Sequence, residues 1–196
     1  MPFLKNLAGE IKHIKDGAFR KSGCSSLNLY AMDESRFGLL SIQRRCLCAR
    51  GVKPIVPYQH RFQNFYLFGA YSPLDGDQFT LEMPRCNTDG FQQYLDEFAK
   101  HRPEEFKIIV LDNGAFHKAK HLEIPKGITL LFLPPYSPEL NPAEKIWRWL
   151  KDRLANQIFK TLDTLSDQLT DLLRELTPAI IDGIVGWSLY KNCLIG

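Results

Sequence analysis

A chain of 196 residues with 44% hydrophobic and 12% aromatic side chains can bury one sizeable core and is short for two. Its five cysteines (Cys24, Cys46, Cys48, Cys86, Cys193) are odd in number and lack a second Cys or His pair at zinc spacing, which argues against a disulfide framework or a zinc module. The first fifteen residues alternate apolar side chains with Lys, Glu and His and carry no leader or membrane pattern, so a cytoplasmic setting is expected.

The net charge of +3 is mild but unevenly spread. Residues 1–61 hold eleven Lys/Arg against four Asp/Glu, and the remainder hold 14 against 18, so the basic first third is the part expected to meet phosphate. In chain order, Phe3, Leu4, Leu7, Ile11 and Ile14 recur near helical spacing and predict a helix over 2–14, ended by Gly17 and the Ser-rich stretch 21–26. An apolar run over 27–32 reaches Asp33, and β-branched or aromatic runs over 52–58 and 62–71, bounded by Gly and Pro, predict two more strands paired as hairpins. A short fourth strand is expected over 78–83, closed by Pro84.

From Thr88 the period changes. Phe91, Tyr94, Leu95 and Phe98 recur at three and four, giving a helix to about His101 capped by Asn87 or Thr88. Continuous apolar runs over 106–111 and 128–133 read as buried parallel strands, the first ending on Asp112, with room for only a helical turn or two over 117–123 between them. After the proline-rich stretch 134–142 comes a helix with Ile146, Trp149, Leu150, Leu154 and Ile158 apolar and Lys145, Arg148, Lys151 and Arg153 basic. A further helix is expected over 162–176 and a shorter one from Pro178. The fold class that follows is α/β, a mixed sheet flanked by helices. Its expected divisions are a helical lead-in (1–26), a core (27–160) and C-terminal helices packed on that core (161–196).

Three acids stand where such a sheet collects its chemistry. Asp33 and Asp112 each follow an apolar strand, and Glu144 opens a helix just after a third. Three carboxylates are a usual means of holding two hard cations about 4 Å apart, because Mg²⁺ prefers oxygen ligands and keeps waters for a substrate to replace. Each acid also has an ordinary explanation: a strand-end turn for Asp33, an Asp-Asn-Gly turn for Asp112, and a capping box for Glu144 with Asn141 as cap and Pro142 at the first helical position. Around them, His117 and Asn113 could contact substrate, or could be a solvated loop residue and a locally bonded turn residue. Arg148 and Lys151 share the helical face of Glu144 and could meet phosphates, the plain alternative for Arg148 being an intrahelical pair with Glu144. Trp147 and Trp149 read as packing residues. No G-x-S-x-G elbow and no P-loop occurs, which excludes those hydrolase and nucleotide-driven classes.

The stretch from Leu133 to Trp147, LPPYSPELNPAEKIW, closely resembles the signature leading to the third acid of mariner-like DDE transposases and their bacterial insertion-sequence relatives. Residues 32–38, MDESRFG, look like the first-acid motif, and residues 110–117, VLDNGAFH, like the second; the resemblance spans 27–159. It implies an RNase H-like fold and a DDE endonuclease that uses two Mg²⁺ or Mn²⁺ ions to cut phosphodiesters at transposon ends and transfer the freed 3′-hydroxyl to target DNA, at a TA step. It makes Asp33, Asp112 and Glu144 the catalytic metal ligands; Glu as third acid matches the bacterial branch, where mariner proper has Asp. It further implies a homodimer bridging two DNA ends, at work in the bacterial cytoplasm on the nucleoid. The family's N-terminal helix-turn-helix modules have no counterpart in the few residues before Asp33, so end recognition is expected of a separate helix-turn-helix polypeptide or is missing. The same fold also admits a nuclease acting on RNA/DNA hybrids or Holliday junctions, against which the proline-rich third motif argues, and a non-catalytic DNA-binding or regulatory remnant of a transposase.

Overall fold

The computed structural model of the chain describes residues 2–186 and residue 190, with side chains from residue 6 onward. The expectations for Phe3, Leu4 and Cys193 therefore lie outside the described side chains. Five strands form one mixed sheet: β1 (Ser26–Gly38), β2 (Asn64–Tyr71), β3 (Gln78–Met83), β4 (Glu105–Leu111) and β5 (Ile128–Phe132). Their spatial order is β3-β2-β1-β4-β5. The β1–β2 and β2–β3 pairs are antiparallel, whereas β1–β4 and β4–β5 are parallel. The RNase H-like α/β expectation thus holds.

Because successive strand residues face opposite ways, the sheet has two apolar faces. On one, Tyr30, Met32, Phe68, Ala70, Ile109 and Leu111 pack under α3 (Thr88–Lys100). On the other, Ala31, Phe37, Leu67 and Tyr71 meet α4 (Ala143–Leu154), α5 (Leu162–Glu175) and α6 (Pro178–Val185). On that same face Leu29, Ile108 and Val110 meet Leu7 and Ile11 of α1 (Pro2–Ile14). This alternation sends Asp33 toward α4 and its neighbour Glu34 toward α3. The α3 cap is Asn87, whose side chain accepts the backbone N–H of Gly90.

Several sequence expectations are corrected. Residues 52–58 form no strand; together with their flanks they make an irregular arm, 39–63, between β1 and β2. Pro54 and Pro57 remove ladder donors there, and Val52, Ile55 and Tyr58 are exposed instead of packed. The lead-in helix does not end at Gly17 but continues through a π-helical turn (Lys15–Phe19) and α2 (Arg20–Ser22), stopping at Gly23, whose φ is 78°. The helix α4 ends at Leu154 rather than near Ile158, which is exposed. Asn156, with φ of 62°, turns the chain into the left-handed region just beyond it and ties it to the arm, its backbone N–H donating to Ile42 O (2.8 Å).

Candidate active site

Asp33 sits in the middle of β1 facing α4, and Trp147 on α4 reaches it: the indole Nε1–H donates to Asp33 Oδ2 at 2.8 Å. The close approach depends on Gly69, the residue of β2 directly opposite Asp33. A Cβ at Gly69 would come within 2.7 Å of the Trp147 ring and 2.6 Å of the Tyr71 hydroxyl, so only hydrogen fits beneath the indole. Burial pushes the Asp33 carboxyl well above the usual carboxylate range, and the charges of Glu34 and Glu144 add to the rise, while the Trp147 and Glu34 backbone hydrogen bonds oppose it.

Glu144 is exposed on the first turn of α4. It makes no capping box: Asn141 caps the helix by accepting Ala143 N–H (3.1 Å), and Asn141 N–H already goes to Pro138 O (2.9 Å). The Asn141 amide also donates to Met32 O (2.8 Å). That bond fastens the start of α4 to the residue preceding Asp33, which explains why the first and third acidic motifs lie side by side.

Asp112 follows the last residue of β4 and is exposed. Its Oδ1 accepts Gly114 N–H at 2.9 Å and lies 3.0 Å from His117 Nδ1, close but not aligned as a hydrogen bond. The opposite ring nitrogen, His117 Nε2, is 2.9 Å from Glu34 Oε1. His117 is 2% exposed, wedged against Phe91 and Phe116 with ring centroids 4.5 and 4.0 Å away. Gly114 makes this approach possible, since a Cβ there would stand 2.9 Å from His117 Nδ1 and 3.1 Å from Asp112 Oδ1. Glu34, His117 and Asp112 therefore form a chain linking the α3 face of β1 to the end of β4. Among the described residues no three His, Cys, Asp or Glu side chains stand close enough to enclose one ion.

The sequence profile of the DDE superfamily endonucleases matches residues 28–166. The chain belongs to that family. It is 39% identical over 102 residues to an uncharacterized protein of Sinorhizobium fredii, y4pE/y4sA, covering 51% of this chain and 76% of that one. Among solved structures, the Mos1 mariner paired-end complex with Mn superposes with a TM-score of 0.66 at 16% identity, over 98% of this chain and 60% of that chain. The Mos1 strand transfer complex gives 0.63 at 16% identity, over 98% and 59%. This chain thus spans about three-fifths of the Mos1 chains. It is a DDE superfamily endonuclease domain that shares the fold of the Mos1 mariner transposase chains, and no helix among its described residues is long and apolar enough to cross a membrane.

Within this DDE domain the other sequence candidates fall in different places. Asn113 is committed to its loop: its amide donates to Leu133 O and its carbonyl oxygen accepts from Lys118 Nζ. His117 is buried behind Asp112 rather than solvated, and its ring meets Glu34 and Asp112 instead of open solvent. Arg148 is exposed, and among the described residues no ion pair joins it to Glu144. Lys151 is half-buried with its ammonium 5.5 Å above the Phe37 ring; burial lowers its pKa, while Glu144 and Asp33 raise it. Sequence reasoning missed two members, Trp147 and Glu34. Trp147 was read as packing, and its three-residue offset from Glu144 on one helical face was the available signal. Glu34 carries none beyond its place beside Asp33.

Proposed function

We propose that this domain cleaves DNA strands at transposon ends and transfers the freed 3′-hydroxyl to target DNA, with Asp33, Asp112 and Glu144 holding two divalent cations. The observation that carries the reading is Asp33: a half-buried carboxylate loaded with the like charges of Glu34 and Glu144 and held by a single side-chain donor, the Trp147 indole. A hard cation relieves that arrangement, and an all-oxygen donor set suits Mg²⁺ or Mn²⁺. When bound, the ions supply Lewis-acid activation of the attacking water or 3′-hydroxyl and charge stabilisation of the leaving oxygen.

The protein's own part is positioning. Trp147 fixes which Asp33 oxygen turns inward, Asn141 holds the start of α4 and hence Glu144 beside β1, and Gly114 with His117 orients Asp112 from behind. Arg148 and Lys151, one and two turns beyond Glu144, stand where the phosphates of a bound strand pass. The Mos1 structures include a strand transfer complex and paired-end complexes with Mn and with Mg; they support DNA as substrate, a two-copy assembly and a divalent metal here. A helix-turn-helix polypeptide that recognises the terminal repeats is the partner this reading implies, and the bacterial nucleoid the place of action.

The test is Mn²⁺ binding to the DNA-free protein, followed by the paramagnetic signal of the free ion. Wild type is expected to bind, and Asp112→Asn to bind about 10-fold or more weakly. Equal binding by the two proteins would remove Asp112 from the ligand set.

A further inference from the structure

The arm joining β1 to β2 has a charge pattern that the acid site does not use. Residues 39–63 contain Arg44, Arg45, Arg50, Lys53 and Arg61 and no Asp or Glu. A 25-residue connection without secondary structure is unusual in a compact domain and points to function. Its base is fastened: Ser41 N–H donates to Gln59 O (3.1 Å) and Leu39 N–H to Gln63 O (3.0 Å). Arg44 pairs with Asp152 on α4 (2.8 Å), and Arg61 donates to Lys160 O (3.0 Å).

Between this base, the end of β1 and α4 lies a groove of about 310 Å³ lined by Arg36, Arg44, Arg61 and Lys151, with Phe62 and Phe37 as its aromatic walls and no acidic side chain. Lys151 lies two turns beyond Glu144 on α4, and its ammonium stands 5.5 Å from the centre of the Phe37 ring; Phe37 shares the α4-facing side of β1 with Asp33, so the groove flanks the acids. Phe62 is 69% exposed and offers a flat apolar face to a sugar or base.

Resting on the endonuclease reading above, we propose that this groove binds the sugar–phosphate backbone of the DNA strand running away from Asp33 and Glu144, with Arg36 and Arg61 contacting its phosphates. Apart from Arg44, which Asp152 engages, the cations that line the groove face no acid within it, and such a row fits a polyanion. A second copy of the chain would bring the same positive arm against it, which opposes a contact between like arms.

The test is duplex DNA binding measured by fluorescence anisotropy against salt concentration in EDTA, so that no metal takes part. Each lost phosphate contact lowers the slope of log affinity against log salt by about 0.9. The Arg36→Ala/Arg61→Ala double variant is expected to lose up to about two units of slope, and Arg36→Lys/Arg61→Lys to recover most of it. An Arg20→Ala/Arg174→Ala control removes two exposed charges distant from the groove and should leave the slope nearly unchanged. An unchanged slope in the groove variant, with Mn²⁺-dependent nicking by the wild type, overturns the groove and leaves the acid site standing. A reduced slope in a protein that binds no metal and cuts no DNA supports the groove and overturns the endonuclease reading. An unchanged slope with dissociation of a dimer assigns the groove to contact between copies and overturns it as a DNA site.

Discussion

Asp33→Asn is expected to abolish cleavage and, at the same time, to raise the melting temperature of the metal-free protein. The two effects share one cause. The folded protein holds the Asp33 carboxyl well above its ordinary range through burial and through Glu34 and Glu144, whereas in the unfolded chain it titrates near about 3.9. Between those values the folded state binds more protons than the unfolded one, so stability falls as pH rises from about 4 through the raised folded value. The destabilisation is fully present only above that value. An amide at this position carries no charge to desolvate, so the pH-dependent loss disappears. Each kcal/mol of relief is worth about 2–4 °C in a domain of this size. A hard cation cannot use the amide as it uses the carboxylate, and the loss of a ligand costs several kcal/mol of transition-state stabilisation, about 10³-fold or more in rate. Thermal melts of both proteins in EDTA between pH 5 and 8, with cleavage assays beside them, check both halves. A variant that melts lower than wild type throughout would contradict the electrostatic origin of the strain.

Trp147→Phe is expected to weaken Mn²⁺ binding and cleavage about 10- to 100-fold while costing only about 1–2 kcal/mol of stability. The phenyl ring keeps most of the contact with Phe37 and Tyr71, whose rings stand 6.2 and 5.7 Å from the indole in edge-to-face arrangements. It lacks the N–H that fixes Asp33 Oδ2. Trp147→Ala removes the packing as well and should cost about 3–5 kcal/mol. The comparison separates the hydrogen bond from the core: wild-type metal affinity in Trp147→Phe would make the indole a packing residue after all.

How much of this was legible in the residues follows from what each signal depends on. Apolar runs ending in acids marked β1 and β4, because a buried strand must be apolar; β4 does stop before Asp112, whereas β1 runs on through Asp33 to Gly38, so Asp33 is a mid-strand residue and not a strand-end turn. The LPPYSPELNPAE stretch marked the entry to α4, and its Asn141 proves to be the tie between α4 and β1. Residues 52–58 misled, since a β-branched run flanked by Gly and Pro carries no information about whether a partner strand exists for it. The continuation of the first helix through Gly17 and the early end of α4 rest on single backbone choices at Gly23 and Asn156. The pairings Trp147–Asp33 and Glu34–His117–Asp112 join residues 114 and 83 positions apart in two of their three links, and such contacts arise from the topology β3-β2-β1-β4-β5 rather than from local spacing. The basic arm was visible as charge; its groove beside Lys151 needed the fold.

The most direct measurement is nicking of supercoiled plasmid DNA in Mn²⁺ by the wild-type chain and by Glu144→Gln at equal concentration. Nicking by the wild type that EDTA stops, and its loss in Glu144→Gln with the fold and DNA binding retained, is the result expected of a carboxylate-held metal site. Equal nicking by both proteins, or none by a wild type that binds Mn²⁺ and DNA, would contradict it.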